Sequence, residues 1–295
     1  MKAKDFKGII PPIMTAFGKD GEVYEKGTRE IIEFLVPHVQ GLYPCGSYGS
    51  GPMMSIEERK KVAEIVVDQV RGRVAIIVHV GTADTRTTVE LARHAESIGA
   101  QGVGAVTPYY NKHGEEAIFT HFRQLIKAVS IPVFLYNNPV LSGNPVPLGL
   151  LPRLAKEGLA GIKDSTFSME NYYHSQMALK DFPEMNLIIG TEALLVAAFD
   201  AGAQAAVTGL GNVYPDLVQK LYRDYLGGDR ERAMKTQEEV LRVRQITKYG
   251  PTVPTCHAIL NLRGVDSGYP RLPLLPVSAE TVKRVEEALK AMGQL

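Results

Sequence analysis

One lysine and several hydroxyl-bearing side chains stand at the ends of short apolar segments of this chain. The segment 159–166 (LAGIKDST) is an apolar run that ends by presenting Lys163. Lysine is among the residues least often buried without a partner, so this position needs an explanation. Burial disfavours the ammonium form and lowers the pKa of a lysine, which leaves a free amine that can attack a ketone. The pattern therefore predicts covalent amine catalysis at Lys163.

Tyrosine and serine hydroxyls at other segment ends favour the same chemistry. A tyrosine hydroxyl near the amine can move protons through carbinolamine formation, dehydration and enamine formation, and Tyr136, Tyr110 and Ser47 are the candidates. Each residue also has an ordinary explanation when taken singly. Lys163 could reach into water from a strand rim, the tyrosines could pack in a core or an interface, and Ser47 could close a turn. Their joint position on one face favours catalysis.

Eight apolar segments rich in β-forming residues recur along the chain. Their starts lie roughly 30 residues apart, which is the length of one strand–helix unit. Helical patterns separate them, and one of these opens with a capping box formed by Ser55 and Glu58. The apolar segments are 8–17, 41–49, 74–82, 102–110, 131–139, 159–166, 186–192 and 203–212. The helical patterns between them include 55–70, 85–100, 115–129 and 192–203.

This alternation predicts an α/β fold of the (β/α)8 TIM-barrel type. Strands that alternate with helices and form unbroken apolar runs are typical of a parallel sheet covered on both faces. Eight such units within about 220 residues fit a closed barrel. The alternative is an open doubly wound sheet, which usually carries a Gly-x-Gly-x-x-Gly turn after its first strand. Here the first strand ends MTAFGKDG, without that turn.

The strand pattern stops after residue 213, and helical patterns continue to the end of the chain. They cover 214–228, 229–250, 251–264 and 278–293, with Pro and Gly between them. The first of them can serve as the eighth helix of the barrel. We therefore expect a barrel over residues 1–228 and a C-terminal helical appendage over residues 229–295.

The barrel prediction also says where the chemistry should lie, because (β/α)8 enzymes place their sites at the C-terminal ends of the strands. Those ends carry many hydroxyl groups and one lysine, but not the two or three His or carboxylate ligands of a catalytic metal. No metal is therefore expected. The residues at these ends are Thr15, Ser47, Tyr48, His79, Thr82, Thr107, Tyr109, Tyr110, Tyr136, Asn137, Asn138, Lys163, Asp164, Ser165, Thr191, Glu192, Thr208, Gly209 and Asn212.

The composition argues against several other classes of protein. The 33 basic and 32 acidic residues give a net charge of +1, with no electrostatic footprint for nucleic acid or an anionic membrane. No apolar stretch reaches the ~20 residues that a membrane span needs, and MKAKDFKGII lacks the apolar region of a signal peptide. The two cysteines provide neither a disulfide framework nor a metal-ligand spacing. A cytoplasmic location is expected.

Two other features could suggest different functions. The glycine-rich stretch 46–51 (GSYGSG) could cradle a phosphate, since a helix follows it. Barrel phosphate sites usually follow strands 7 and 8, where this chain offers backbone amides but no basic residue. We expect His79 and Cys45 to be packing residues.

Five motifs carry a resemblance to a known family. PPIMTAF, GSYGSGPMMSIEER, TPYYNK, YNNP and GIKDST stand in this order at the predicted strand ends. Over its whole length the chain resembles the N-acetylneuraminate lyase/dihydrodipicolinate synthase family of class I pyruvate-dependent aldolases. The resemblance implies that Lys163 forms a Schiff base with pyruvate or another 2-oxo acid, and that Tyr136 is the general acid/base. It also implies that Ser47 joins a proton relay, which Tyr110 completes across a subunit interface.

The resemblance extends to the substrate and the assembly. It implies that Ser47 and the backbone around Tyr48 and Val207 hold the pyruvate carboxylate and line its pocket. The substrate tail would lie at Ser165, Gly190, Thr191 and Glu192. The partners implied are a small 2-oxo acid and an aldehyde, in a homotetramer built as a dimer of dimers, with no metal or organic cofactor.

Three departures from the family pattern bear on the substrate. Tyr48 replaces the usual second threonine, and GSGP (49–52) replaces a motif that usually ends in glutamate. Leu141 stands where the synthases have an arginine that grips the carboxylate of the second substrate. Such a charge-assisted contact is typically worth about 1.5–3 kcal/mol, so an amino-acid semialdehyde would be held poorly unless another cation substitutes.

These departures favour an aldolase that reversibly cleaves a 2-keto-3-deoxy sugar acid to pyruvate and an aldehyde. The sugar acid would be similar to N-acetylneuraminate or 2-keto-3-deoxy-gluconate. The alternatives are dihydrodipicolinate synthase, which condenses pyruvate with aspartate semialdehyde, and a 2-keto-3-deoxy acid dehydratase. Two further hypotheses do not involve aldolase chemistry. In one the protein is a catalytically silent ligand-binding barrel, and in the other it is a phosphate-binding isomerase barrel.

Overall fold

Eight parallel strands form the centre of the computed structural model, which describes residues 1–295. They follow one another around the sheet, and each strand pairs with the next one in the chain from β2 to β8. The last strand, β8, also pairs with β1. The strands are β1 (Gly8–Ile9), β2 (Gly41–Leu42), β3 (Ala75–His79), β4 (Gly102–Val106), β5 (Val133–Asn137), β6 (Gly161–Asp164), β7 (Asn186–Ile189) and β8 (Ala205–Ala206).

Two backbone hydrogen bonds join β1 to β2 and bring the edges of the sheet together. The amide of Gln40 donates to Ile9 O at 3.0 Å, and the amide of Tyr43 donates to Pro11 O at 2.9 Å. The predicted segment 8–17 forms only a two-residue strand. Pro11 and Pro12 lack an N–H group and cannot continue a ladder, although Pro11 still accepts through its carbonyl. The predicted (β/α)8 barrel is confirmed.

Helices connect the strands and cover the outside of the barrel. None of them is both long and apolar enough to cross a membrane. The helices are α1 (Glu25–Leu35), α2 (Ile56–Val70), α3 (Thr85–Ser97), α4 (Glu115–Ala128), α5 (Pro139–Ser142), α6 (Leu150–Lys156), α7 (Met169–Ala178), α8 (Leu195–Asp200), α9 (Pro215–Leu226), α10 (Arg230–Ile246), α11 (Thr252–Leu262) and α12 (Ala279–Ala291).

The predicted start of α2 is confirmed by its cap. The amide of Ser55 donates to Glu58 Oε2 at 2.7 Å, and the amide of Glu58 donates to Ser55 Oγ at 3.2 Å. This reciprocal pair satisfies two amides that the first helical turn leaves free. The helix predicted over 192–203 is shorter, since Glu192–Leu194 forms a 3-10 turn before α8.

The C-terminal helices pack directly on the barrel. Val240 and Val243 of α10 belong to the same buried hydrophobic cluster as the barrel helices. Gln237 of α10 donates to the backbone carbonyl of Glu192 at 2.9 Å, which ties this helix to the end of β7. The predicted division into residues 1–228 and 229–295 stays a prediction, but α10 reaches the mouth of the barrel.

Candidate active site

A cavity of about 270 Å³ opens at the C-terminal ends of the strands, where the fold predicts a site. It brings together almost all of the predicted site residues: Ser47, Tyr48, Tyr136, Lys163, Ser165, Gly190, Thr191, Glu192 and Val207. Tyr110 is missing from this lining. The cavity wall also includes Asn138 and Gly209, which were expected at strand ends without an assigned role, and Leu141, which was expected to bear on the substrate. The remaining wall residues were not predicted to belong to the site: Pro12, Val140, Phe167 and Arg244.

Lys163 lies inside the barrel and not at a solvated rim. It is only 5% exposed, and β6 places it beside Tyr136 of β5 in the strand register. Its Nζ lies 3.5 Å from the centre of the Tyr136 ring and 4.7 Å from the centre of the Tyr43 ring. The amine is therefore held against aromatic faces at the wall of the cavity.

Burial lowers the pKa of the Lys163 amine below its ordinary value, while the neighbouring Tyr136 acts in the opposite direction. Burial favours the neutral amine because a low-dielectric surrounding penalises the ammonium charge. A neutral amine has the lone pair that attack on a carbonyl carbon requires.

This buried amine gives a stability prediction. We expect Lys163→Met to unfold with an equal or larger free energy at neutral pH, because methionine fills the space without a buried charge. The folded-state pKa of Lys163 lies below the unfolded value of 10.5, so wild-type stability rises with pH between these two values. The advantage of the variant should therefore shrink as the pH approaches 10.5. Denaturant unfolding of both proteins across pH measures it, and an advantage that grows with pH would contradict the burial of this charge.

Tyr136 presents its hydroxyl to the same cavity. Asn138 Nδ2 donates a hydrogen bond to Tyr136 Oη at 2.7 Å. Burial by itself would raise the pKa of Tyr136, but the charge of Lys163 and the side chains of Asn138, Ser165 and Ser47 lower it overall. A tyrosine with a lowered pKa can exchange protons with a reacting group more easily at neutral pH.

Ser47 and Tyr48 lie on a tight loop between β2 and α2. Cys45 and Ser50 have positive φ angles of 61° and 56°, which are uncommon for residues other than glycine. Such backbone is maintained only where surrounding contacts support it, and it is concentrated at functional sites. The loop therefore presents Ser47 in a defined position.

The unusual Tyr48 is accommodated by a glycine on the opposite side of the cavity. A Cβ atom on Gly209 would lie 2.2 Å from the Tyr48 hydroxyl oxygen, so no other residue fits at position 209 without movement. The bulk of Tyr48 is thus matched by space at Gly209.

The predicted tail-binding residues form the far side of the cavity. Ser165 Oγ donates to Gly190 O at 3.2 Å, and Thr191 Oγ1 accepts from the amide of Ala193 at 3.2 Å. Glu192 is buried, and its Oε1 accepts from Arg244 Nε at 2.6 Å. This side offers a carboxylate and hydroxyl groups to a substrate.

Arg244 is the charged cavity residue that the sequence reasoning missed. Its side chain is 17% exposed and its partner Glu192 is 7% exposed, so the pair is largely shielded from solvent. Neither terminal nitrogen of the Arg244 guanidinium has a hydrogen-bond partner in the protein. One signal could have marked it, because Arg244 follows Gln237 and Val240 at helical spacing on the buried face of α10.

Tyr110 does not enter the cavity of its own chain. It lies beyond the end of β4 with a φ of 79°, and it is 94% exposed. The neighbouring turn is held by Asn144, whose Nδ2 donates to Pro108 O at 2.8 Å. The predicted role of Tyr110 requires a second subunit and stays a prediction.

The glycine-rich stretch 46–51, considered above as a phosphate cradle, uses two of its backbone amides within the loop. The amides of Ser50 and Gly51 donate within the loop, to Ser47 O at 3.3 Å and Gly46 O at 3.0 Å. A phosphate cradle needs free amides that point at the ligand. The loop therefore uses these donors for its own conformation.

His79 and Cys45 are buried, as expected of packing residues. His79 Nε2 accepts from the amide of Val106 at 3.2 Å, and its Nδ1 lies 3.2 Å from Cys45 O. Burial lowers the pKa of His79 well below its ordinary value. The chain contains no group of three His, Cys, Asp or Glu side chains placed to hold a metal ion.

Comparisons with known proteins agree with this barrel fold. The model of the dihydrodipicolinate synthetase family matches residues 5–292. An uncharacterized DapA-like lyase of Halobacterium salinarum is 37% identical over 290 residues, which cover 98% of this chain and 94% of the relative. The 4-hydroxy-tetrahydrodipicolinate synthase of Nitrobacter hamburgensis is 32% identical over 292 residues, with 98% of both chains covered.

Solved structures show the same architecture. YagE, a prophage protein of the dihydrodipicolinic acid synthase family from E. coli K12 in complex with pyruvate, superposes with a TM-score of 0.94 at 28% identity, covering 98% of this chain and 99% of that one. CdNal from Clostridium difficile in complex with mannosamine gives a TM-score of 0.91 at 27% identity, covering 97% and 98%.

The fold and the site define a barrel enzyme with a buried lysine at its mouth. The chain belongs to the dihydrodipicolinate synthetase family. Members of this family are pyruvate-dependent lyases, and this protein is accordingly a carbon–carbon lyase.

Proposed function

We propose that the protein is a Schiff-base aldolase that reversibly cleaves a 2-keto-3-deoxy sugar acid to pyruvate and an aldehyde. The observation that carries the proposal is the buried Lys163 amine, whose Nζ lies 3.5 Å from the Tyr136 ring centre in a cavity lined with hydroxyl groups. A desolvated amine beside a proton-transferring phenol is the arrangement that carbinolamine and enamine chemistry requires.

The reaction follows from these two groups. The Lys163 amine attacks C2 of the oxo acid and water leaves, which forms a protonated imine. Tyr136 accepts the proton of the C4 hydroxyl, the C3–C4 bond breaks, and the electron pair moves into the imine to form an enamine while the aldehyde leaves. Protonation of C3 and hydrolysis of the imine then release pyruvate and restore the amine.

The two ends of the cavity suit the two halves of such a substrate. Ser47 and the backbone around Tyr48 and Val207 are proposed to hold the carboxylate beside the Schiff base. On the other side, Thr191 and Glu192 are proposed to bind the tail, together with Ser165 and Gly190. Hydroxyl and carboxylate groups there match a polyhydroxylated tail, because they can accept and donate several hydrogen bonds.

Condensation of pyruvate with aspartate semialdehyde is the second candidate, and Arg244 favours it. Leu141 removes the arginine of the synthases, but the Arg244 guanidinium enters the same cavity from α10 with two unpaired terminal nitrogens. A guanidinium presents a planar fork of donors that matches a carboxylate. Arg244 is thus the other cation that a semialdehyde would need in the absence of the family's arginine.

An aldehyde screen in the condensation direction separates the two candidates. We expect kcat/KM with pyruvate to be higher for glyceraldehyde or N-acetylmannosamine than for aspartate semialdehyde. Arg244→Met should lower the value for the semialdehyde by about 10- to 100-fold, because a charge-assisted contact is lost. Arg242→Met on the same helix is the matched control, since Arg242 is exposed and pairs only with Glu238. A clear preference of the wild type for the semialdehyde would replace the sugar-acid proposal with the synthase.

The assembly is proposed on the resemblance, as a homotetramer built as a dimer of dimers. The 94% exposure of Tyr110 supports an interface at that end of the barrel, because a large aromatic side chain in full contact with water is unfavourable. A cytoplasmic location and the absence of an organic cofactor stay predictions.

A further inference from the structure

Asn138 connects the proposed acid–base tyrosine to the short helix α5. Its Nδ2 donates to Tyr136 Oη at 2.7 Å, and its Oδ1 accepts from the backbone amide of Leu141 at 3.2 Å. The amide of Leu141 can only donate, so the oxygen of Asn138 must face it. This leaves the NH2 group of Asn138 facing the phenol oxygen, which settles the orientation of the side-chain amide.

We propose that Asn138 is a positioning residue, which fixes the Tyr136 hydroxyl in the cavity and stabilises its deprotonated form. The inference rests on the proposed function, in which Tyr136 moves protons. Asn138 acts on the reaction through the tyrosine and is not itself assigned a contact with the reacting atoms.

The physical reason is the direction of the hydrogen bond. A donor aimed at a phenol oxygen interacts more strongly with the phenolate than with the neutral phenol, so it lowers the proton affinity of the tyrosine. Asn138 is buried, which strengthens this effect because bulk water does not compete for the oxygen. The lowered pKa of Tyr136 agrees with this direction.

The other groups that face Tyr136 come from three strand ends and one loop. Lys163 lies over its ring, and its positive charge also favours the phenolate. The rings of Tyr43 and His79 lie 6.3 Å and 6.0 Å from its ring centre, and both residues are buried. Tyr48 is the remaining titratable neighbour, with a pKa well above its ordinary value. Lys163 acts on Tyr136 through its charge, and Ser165 and Ser47 act through their side-chain hydroxyls, so the donor of Asn138 is a separate contribution.

The residue also holds the helix that borders the cavity. Asn138 is the N-cap of α5, and α5 carries Val140 and Leu141 at the cavity wall. Because the Asn138 side chain both caps α5 and donates to the Tyr136 hydroxyl, a substitution can act by destabilising the helix or by removing this hydrogen-bond donor. Two substitutions separate these effects.

The test compares Asn138→Asp with Asn138→Leu. Aspartate keeps the acceptor that caps the Leu141 amide but removes the donor to Tyr136, while leucine removes both. The ionisation of Tyr136 is measured as the phenolate absorbance of each protein minus that of its Tyr136→Phe counterpart, so that the other tyrosines cancel. We expect the pKa of Tyr136 to rise by about one unit or more in both variants, and most in the aspartate variant, because a carboxylate repels the phenolate.

A second measurement tests whether the change in the Tyr136 pKa affects the reaction. The rate at which pyruvate methyl protons exchange with solvent should fall by about tenfold or more at neutral pH in Asn138→Asp, with its pH profile moved to higher pH. If Asn138→Leu does not fold, the aspartate variant alone decides. An aspartate variant with a wild-type Tyr136 titration would overturn the inference.

The proposed function can fail separately from this inference. Borohydride reduction in the presence of pyruvate tests the Schiff base in wild-type protein without reference to Asn138. A raised Tyr136 pKa in Asn138→Asp without any pyruvate adduct would support the contact and reject the aldolase chemistry. An adduct together with an unchanged Tyr136 titration would support the aldolase chemistry and overturn the role of Asn138.

Discussion

Replacement of Lys163 by alanine is expected to reduce the exchange of pyruvate methyl protons with solvent to the rate seen without protein. The exchange requires an enamine, and the enamine requires a covalent bond between the Lys163 amine and C2 of pyruvate. No other lysine lines the cavity, so no second amine can take over. Deuterium incorporation into pyruvate, followed by nuclear magnetic resonance, measures the rate and does not depend on knowing the aldehyde.

A surface lysine provides the control for this loss. Lys180 follows α7 and is exposed, so Lys180→Ala should exchange pyruvate protons at the wild-type rate. Circular dichroism of the Lys163→Ala variant should show an intact barrel, since Lys163 belongs to neither of the buried hydrophobic clusters. Residual exchange in a folded Lys163→Ala protein within tenfold of the wild type would contradict the assignment of Lys163.

The second large effect is expected for Tyr136→Phe. This variant keeps the ring that contacts the Lys163 amine but removes the hydroxyl that accepts from Asn138. General acid–base catalysis typically contributes about 10²–10⁴-fold, and the exchange rate of pyruvate protons should fall by a factor in this range. Pyruvate should still be trapped on Lys163, because the amine and its buried surroundings remain.

Tyr173→Phe is the matched control, because Tyr173 lies on the exposed side of α7 and does not line the cavity. It should retain the wild-type exchange rate. A Tyr136→Phe variant that exchanges pyruvate protons as fast as this control would show that the proton moves through another group, for which the hydroxyls of Ser47 and Ser165 in the lining are candidates.

The parts of the molecule that the sequence predicts well are those that depend on local patterns. The alternation of apolar segments with helical ones is repeated eight times. The barrel can therefore be predicted from this pattern even where the predicted limits of single strands and helices differ from the observed ones. The strand ends then place Lys163, Tyr136 and Ser47 at one end of the barrel. This step depends only on topology, because parallel strands all present their C-terminal ends on the same side.

The parts that were not predicted depend on contacts between distant segments. Arg244 and Glu192 are 52 positions apart, and only the packing of α10 against the end of β7 makes them a pair. The turn beside the exposed Tyr110 is likewise held by a distant residue, Asn144. The hydrogen bond from Asn138 to Tyr136 is local, but the choice between this partner and solvent is set by burial in the completed barrel.

The measurement that tests the central claim most directly is borohydride reduction of the wild-type protein with pyruvate, followed by mass mapping of its peptides. The buried amine of Lys163 predicts one stable pyruvate adduct, located on the peptide that contains Lys163 and absent from Lys163→Ala. An adduct on another lysine, or no adduct in a folded protein, would contradict the Schiff-base mechanism at this site.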